Sequence, residues 1–514
     1  MKRSLPILLA IAALINLSAF AADAPKTQNT AKASTAADTS TSEEKIVTHH
    51  SLEIGGKTIH YTATAGNLVL KNDKGDQTAS MFYIAYTEDG ADTGKRPVTF
   101  AYNGGPGGSS VLVNLGGFGP MRVVTTDAAS TPPAPYSLEP NQYSLLDKSD
   151  LVFIDAVGTG FSKLLGKSEA KDFYGADQDV AAFGDFIERY ITQNNRWNSP
   201  KFVLGESYGT PRSAMLANWL QGKGVALNGV ILLSSILNFN DEFWFQPDGS
   251  NDLAYELYLP SYAAIAWYHD KLPNKPADLP TFLKQVREFA LGDYAAALAA
   301  GDSITPVQQT AVIQKLHAYT GLSADYLKQA KIRVAPGRFM KELLRDEART
   351  VGRYDARYEG IDYDSAGEYM DYDPSSSAMF PAVVATFHNY LQNDLDDKST
   401  ADYEFLSYKV NSAWDWHHRV DGQKFPVPDT LPDLRKAMTQ NPRLKVFSGN
   451  GYYDLATPFF KTEYELNHMG LDPSLQKNIT FGHYGDGHML YIHTPALKQL
   501  KQDLDQFYDS ATAG

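Results

Sequence analysis

The sequence predicts an α/β fold: a largely parallel sheet with helices on both faces, opened by N-terminal antiparallel strands and interrupted by a largely helical inserted cap. Three observations carry this. Short, nearly continuous apolar runs at 98–102, 151–154, 202–204, 230–233 and 444–447 suit strands buried on both faces. Helical spacing separates the second from the third, with Val180, Phe183, Phe186, Ile187, Tyr190 and Ile191 on one face of 177–191. Strands alternating with helices need a layered α/β sheet to bury both. Residues 241–435 break that rhythm, with helical stretches at 281–291 and 306–319 but few strand runs, and are read as the cap between two core segments, 47–240 and 436–514.

The remaining elements follow in chain order. Lys2 and Arg3, the apolar run 5–15 and the small-residue site Ala19-Phe20-Ala21 form an export signal expected to be cut after Ala21, giving residues 1–21 as signal peptide and a periplasmic or secreted protein. That run is shorter than the ~20 apolar residues a membrane span needs, so no stable membrane insertion is expected. Residues 22–46 are mostly Ala, Thr, Ser and Lys, a composition that cannot offset its ordering entropy, and are read as a flexible leader. From 52 to 86 apolar and polar residues alternate around Gly55-Gly56 and Asn72-Asp73-Lys74-Gly75, as hairpin strands do. At the far end Thr494-Pro495 starts a helix with Leu497, Leu500, Leu504 and Phe507 on one face.

Composition narrows the chemistry. The 514 residues are 43% hydrophobic and carry 60 acidic against 46 basic side chains, a formal charge of −14 that disfavours nucleic acid and anionic membranes. With no cysteine, a thiol nucleophile, disulfides and thiolate metal sites are excluded. No cofactor or metal is expected.

The run 202–204 leads into Gly205-Glu206-Ser207-Tyr208-Gly209 and then a helical pattern through Met215, Leu216 and Trp219. A Gly-x-Ser-x-Gly between strand and helix is a nucleophile elbow, so Ser207 is the candidate nucleophile. Serine needs a histidine base and an acid that orients it, which in this arrangement follow as acid and then histidine. Asp454 stands on a loop beyond the run 444–447, and His488 lies in Gly485-Asp486-Gly487-His488-Met489 before the closing helix; His483 and His493 are the decoys and Asp486 the rival acid. The oxyanion of a tetrahedral intermediate needs two donors. One is the Tyr208 amide, and the other is placed in Asn103-Gly104-Gly105-Pro106-Gly107-Gly108, with Gly105 the choice.

Asn103-Gly104-Gly105-Pro106-Gly107, Gly205-Glu206-Ser207-Tyr208-Gly209, Asp155 with Gly158-Thr159-Gly160-Phe161-Ser162, Asp454 with Pro458, and Gly487-His488-Met489 together resemble the serine carboxypeptidase family. The resemblance implies an α/β-hydrolase fold, a Ser207-Asp454-His488 triad, oxyanion donors at Gly105 and Tyr208, and release of C-terminal residues from peptide substrates by acyl transfer to serine and then water. It also implies that Asn103, Gly104 and a protonated Glu206 receive the substrate's terminal carboxylate. The sequence departs from the family in two places. Gly117 stands where a second recognition glutamate is usual, and Gly108 replaces a cysteine. An esterase or acyltransferase on the same scaffold, and a noncatalytic peptide-binding protein, are the alternatives.

Other features read as structural. Arg212 is expected to make an ion pair rather than bind substrate, and 362–373 departs from a calcium loop at Ala366 and Asp373. Trp414-Asp415-Trp416-His417-His418 is read as cap or pocket wall, because adjacent side chains diverge. His49-His50 has no ligand partner at suitable spacing.

Overall fold

Gly55 and Gly56, at φ of 57° and 77°, close a tight turn between strands β1 (Lys45–Ile54) and β2 (Lys57–Lys71). A second turn at Gly75 (φ 85°) leads into β3 (Gln77–Glu88), so the predicted hairpin segment is a three-stranded antiparallel ribbon. The computed structural model describes residues 41–243 and 251–513; the predicted signal peptide and the leader up to residue 40 lie outside the described residues. The end of the predicted leader is tied to the sheet. The Thr41 amide donates to Gln77 Oε1 at 2.8 Å, Glu43 pairs with Arg189 at 2.7 Å, and Lys45 and Ile46 already belong to β1.

The apolar runs form β4 (Val98–Tyr102), β5 (Asp150–Ile154), β6 (Lys201–Glu206), β7 (Gly229–Leu233) and β8 (Lys445–Gly451), and the edge strand β9 (Ile479–Tyr484) completes a sheet of order β1-β2-β3-β5-β4-β6-β7-β8-β9, with Lys163–Leu164 paired to β3. Pairing is antiparallel through β3–β5 and parallel from there to β9. This is the α/β-hydrolase sheet. Every residue of β4 to β7 is buried, which is why those strands read as unbroken apolar runs. By contrast β9 is half-exposed and carries Thr480 and His483, so it lacks that signature.

Alternation along the strands feeds two separate cores. Val98, Phe100, Tyr102 and Val203 pack with α1 (Ala176–Gln193) and α2 (Gly209–Gly222); Ala101, Phe202 and Leu204 pack on the opposite face with the closing helix Thr494–Thr512. Thr99, the polar residue within β4, is satisfied by Ser149 Oγ and Tyr508 Oη, each at 2.7 Å.

Residues 251–435 add no strand to the sheet among the described residues. They do not act as one cap. Helices Leu253–Tyr268, Leu279–Phe289 and Pro306–Thr320 build a third core that reaches the sheet through Tyr453, Leu455, Phe459 and Phe460, whereas Met379, Val383, Phe387 and Tyr390 of helix Pro374–Asn393 join the core of the sheet face. The division follows the side chains, because each helix buries its apolar face where the nearest apolar surface lies.

The junction between sheet and insertion is also ionic. Lys461 is fully buried, donates to the Asn238 carbonyl at 2.7 Å, and pairs with Glu242 at 3.2 Å and with Glu465. Burial pushes the Glu465 carboxyl up to about 7, against the pull of the Lys461 ammonium, and raises Glu242 likewise. Replacing Lys461 by Met strands two carboxylates and is expected to lower stability by about 3–5 kcal/mol at neutral pH in urea unfolding. Each carboxyl then binds its proton more tightly folded than unfolded, so the loss should shrink as pH falls from 8 to 5. An equal loss at both pH values would refute this account.

Candidate active site

The strand β6 ends at Glu206 and turns so sharply into α2 that Ser207 holds φ 57°, a left-handed conformation unfavourable for any residue with a β-carbon. Its amide donates to the Leu233 carbonyl of β7 at 3.0 Å, and its carbonyl accepts from the Thr210 amide at 2.8 Å. A side chain at Gly205 would collide with the Gly209 carbonyl and Ser213 Oγ, so the first glycine of the motif is sterically required. Ser207 is only half-buried, while its neighbours Glu206 and Tyr208 are buried.

Alongside runs the loop after β4, in register because Tyr102 pairs with Gly205 across the parallel ladder. Gly104 lies so close to the Tyr208 amide that a β-carbon there would overlap it. The Gly105 and Tyr208 amides have no acceptor among the described residues. Asn103 is oriented on three sides. The Val113 amide donates to Oδ1 at 3.0 Å, Arg212 Nη1 donates to the Asn103 carbonyl at 2.8 Å, and Asn103 Nδ2 donates to Glu206 Oε2 at 2.8 Å. Arg212, fully buried, is held by Asp179 at 2.6 Å and lies 4.3 Å from the Phe183 ring centre, so it is the expected ion pair and braces this loop from behind.

The other two predicted residues meet from beyond β8 and β9. His488 Nδ1 donates to Asp454 Oδ2 at 2.7 Å, both side chains being buried. Asp454 is further fixed by the Ala456 amide (2.7 Å), the Thr457 amide (3.0 Å) and Thr457 Oγ1 (2.6 Å). His488 is clamped through its backbone, its amide donating to the Tyr354 carbonyl at 2.6 Å and its carbonyl accepting from Ser234 Oγ at 2.5 Å. The Tyr354 ring lies 5.1 Å from the imidazole, centre to centre.

On its other edge His488 Nε2 lies 3.3 Å from Glu206 Oε1, and among the described residues Ser207 Oγ forms no hydrogen bond to it. Burial works to lower the imidazole's proton affinity, but the Asp454 and Glu206 carboxylates outweigh it and hold it above the ordinary histidine value. Burial drives Glu206 up, opposed by His488, Asn103 and the Gly104 amide. The two groups face each other across a contact that one proton can serve.

The structure therefore brings Asn103, Gly104, Gly105, Glu206, Ser207, Tyr208, Asp454 and His488 together, and gives the decoys other duties. His483 pairs with Glu463 at 2.7 Å on the edge strand. Asp486 is held by Arg357 and by His493 at 3.1 Å, and His493 Nε2 bonds Tyr358 Oη at 3.0 Å. Asp355, Asp486 and His493 have the donor set for a metal ion, with ligand atoms within 4.8 Å of one another, but the Arg357 guanidinium already bridges both carboxylates and supplies the positive charge. In 362–373 the ammonium of Lys341 pairs with Asp362 in the same way. Trp414 and Trp416 stand 5.2 and 5.8 Å from the Tyr208 ring, next to the elbow, and His418 is held between Asp177 (2.6 Å) and Asp433 (2.9 Å) and pushed up to about 9 by them against burial.

Three contributors escaped sequence reasoning. Thr457 carried a usable signal, since an Asp followed three residues later by Thr makes a side-chain-capped turn. Tyr354 carried none, arriving from the insertion. Tyr491 lies three residues after His488 and accepts from Asn103 Nδ2 at 3.2 Å.

Residues 57–239 match the sequence profile of the family described as serine carboxypeptidase, bearing out over that stretch the resemblance read from the motifs. Among curated proteins, the chain is 33% identical over 166 residues to the pheromone-processing carboxypeptidase KEX1 of Saccharomyces cerevisiae, covering 30% of this chain and 22% of that one. It is 28% identical over 144 residues to serine carboxypeptidase-like 33 of Arabidopsis thaliana, 28% of each. The chain thus spans less than a third of the length of the curated relatives it matches. Among solved structures it is similar to a proline iminopeptidase of Mycobacterium smegmatis (14% identity, TM-score 0.38) and a carboxyl esterase of Bacillus coagulans (12%, 0.38), each match covering 87% of this chain and 98% of the other.

Proposed function

We propose that this chain is an exported serine carboxypeptidase-like hydrolase that releases C-terminal residues from peptides. The observation that carries the reading is the 2.7 Å bond from His488 to Asp454 beside a serine held at positive φ on the elbow. Support for export comes from the signal-like residues Lys2, Arg3 and Ala19 to Ala21, and no helix among the described residues is long and apolar enough to cross a membrane.

In this reading Asp454 fixes the tautomer with the proton on Nδ1, leaving Nε2 as base. Ser207 Oγ attacks the scissile carbonyl carbon and passes its proton to Nε2, while the Gly105 and Tyr208 amides hold the oxyanion. Collapse expels the C-terminal amino acid, whose amine takes the proton from the imidazolium. Water then repeats the sequence on the acyl-enzyme, releasing the shortened peptide and restoring Ser207.

The Glu206 contact gives a reason for choosing free acids. In the empty site the Asp454 and Glu206 carboxylates raise the imidazole's proton affinity, and an imidazolium Nε2 cannot act as base. A substrate carboxylate beside Asn103, Gly104 and Glu206 places a second negative charge against Glu206, which favours its neutral form. The proton moves from Nε2 to Oε1, freeing the imidazole for Ser207 and giving Glu206 a donor for the substrate.

Ser207→Ala is expected to abolish labelling by an active-site serine phosphonate while the circular dichroism spectrum stays native; undiminished labelling would overturn the assignment. A peptide and its C-terminal amide separate the peptidase from an esterase, the peptidase preferring the free acid.

The role of Glu206 has its own readout. On an amide substrate, kcat/KM should climb with pH as the imidazolium loses its proton, with a midpoint above the ordinary histidine value of about 6.5. Glu206→Gln removes one of the two carboxylates favouring that proton, so the midpoint should fall. A midpoint that stays in place would remove Glu206 from this role.

A further inference from the structure

We infer that the Tyr491 hydroxyl is a specificity-determining donor to the substrate's terminal carboxylate, in the space left by the missing second acid at position 117. The inference rests on the carboxypeptidase reading and adds to it a residue that no motif contains.

The first observation is steric. A β-carbon built on Gly117 would lie 2.8 Å from Cβ, Cγ and Cδ2 of Tyr491, and one on Gly116 would lie 3.1 Å from Cε2. The phenol therefore occupies the volume into which a side chain at 117 would begin to grow. A side chain at 117 and this ring position therefore exclude each other. The Phe118 ring, 5.4 Å away, supports the phenol from the same turn.

The second observation is the hydrogen-bond inventory. Asn103 Nδ2 has two protons, one donated to Glu206 Oε2 at 2.8 Å and the other to Tyr491 Oη at 3.2 Å. A phenol oxygen that accepts from Asn103 still has its own proton, for which no acceptor is present among the described residues. Tyr491 is completely buried, and a buried hydroxyl with an unused donor is costly unless a ligand or water takes it. Tyr491, Asn103 and Glu206 form one hydrogen-bonded row, and its end at Glu206 Oε1 lies 3.3 Å from His488 Nε2, one residue before Ser207.

The third point is protonation. The ionisable groups facing this cluster are Glu206, then His488 across it and Asp454 behind. Burial and the nearby Glu206 carboxylate both keep the phenol protonated well above its ordinary range. A carboxylic acid in that place would stop donating, and begin to repel the substrate, once it ionised. A phenol keeps its proton across the whole working range, so the site retains one neutral donor where Glu206 alone would fail.

Tyr491→Phe keeps the ring on Gly117 and deletes only the donor. Steady-state kinetics on one peptide and its C-terminal amide give the ratio of kcat/KM, acid over amide, which is taken within a single preparation and so is unaffected by a partly unfolded sample. The ratio is expected to fall roughly tenfold or more, the scale of one lost hydrogen bond to a charged group, mainly through KM for the acid. The residual preference in Tyr491→Phe should also decline more steeply with rising pH than in the unsubstituted enzyme, a change that loosened packing would not produce. An unaltered ratio in Tyr491→Phe, with the unsubstituted enzyme preferring acids, overturns the inference and leaves the carboxypeptidase reading standing. An unsubstituted enzyme indifferent to the acid overturns both.

Discussion

The site depends on the close approach of two backbones. Strands β4 and β6 are neighbours and end level with each other, so the loop from Asn103 to Gly108 and the turn from Glu206 to Gly209 are pressed together where both leave the sheet. Only glycine fits at 104, against the Tyr208 amide, and at 205, against the Gly209 carbonyl. The Gly105 and Tyr208 amides acquire their common neighbourhood from that contact rather than from any side chain. Arg212 holds it from behind, tying the Asn103 carbonyl to α2 and to Asp179 on α1. A buried pair of this kind adds little net stability. Its use here is positional, since Arg212 joins both helices to the loop.

The same crowding explains the electrostatics. Glu206, Asp454 and His488 are all buried, so two carboxylates and an imidazole must share fewer charges than water would allow them. Asp454 accepts from three protein donors besides His488. Glu206 has the Asn103 amide and the imidazole edge, and burial presses it toward neutrality. The two acids therefore sit in different hydrogen-bonding surroundings within one pocket.

Much of this was legible in the sequence. Strand runs at β4 to β8, the elbow, the Asn-Gly-Gly loop and the late Asp and His each leave a local signal, because burial on both faces, sterically forced glycines and chain order are properties of short segments. What escaped was of another kind. β9 is an edge strand with one wet face, and its Thr480 and His483 hide it among loops. The insertion looked like one cap because its helices carry similar periodicity; which apolar face meets the sheet, as in Met379 and Phe387, and which builds a separate core, as in Leu283 and Val286, is decided only by packing. Tyr354 and Tyr491 act through contacts with residues more than a hundred positions away, and tyrosine is common enough in this chain, with 30 copies, that neither stood out.

The loop carrying His488 shows why the insertion belongs to the site even though it contributes nothing to the predicted triad. Between Gly485 and His488 the chain is held in part by residues 354–357: the Tyr354 carbonyl takes the His488 amide, Arg357 donates to the Gly485 carbonyl at 3.2 Å and pairs with Asp486, and the Ala356 amide reaches the Tyr453 carbonyl at 3.0 Å, next to Asp454. One short segment thus grips the loops of both Asp454 and His488. A side chain at Gly487 would strike Asp355 and the Tyr354 carbonyl, so the grip is close enough to require glycine there. The 2.7 Å bond between imidazole and carboxylate consequently depends on the docking of the insertion as well as on the direct bond between the two loops, in which the Tyr453 amide donates to the Asp486 carbonyl at 3.1 Å. Displacing residues 354–357 removes contacts from both loops together, so the insertion is a structural component of the Asp454–His488 pairing rather than a lid laid over it.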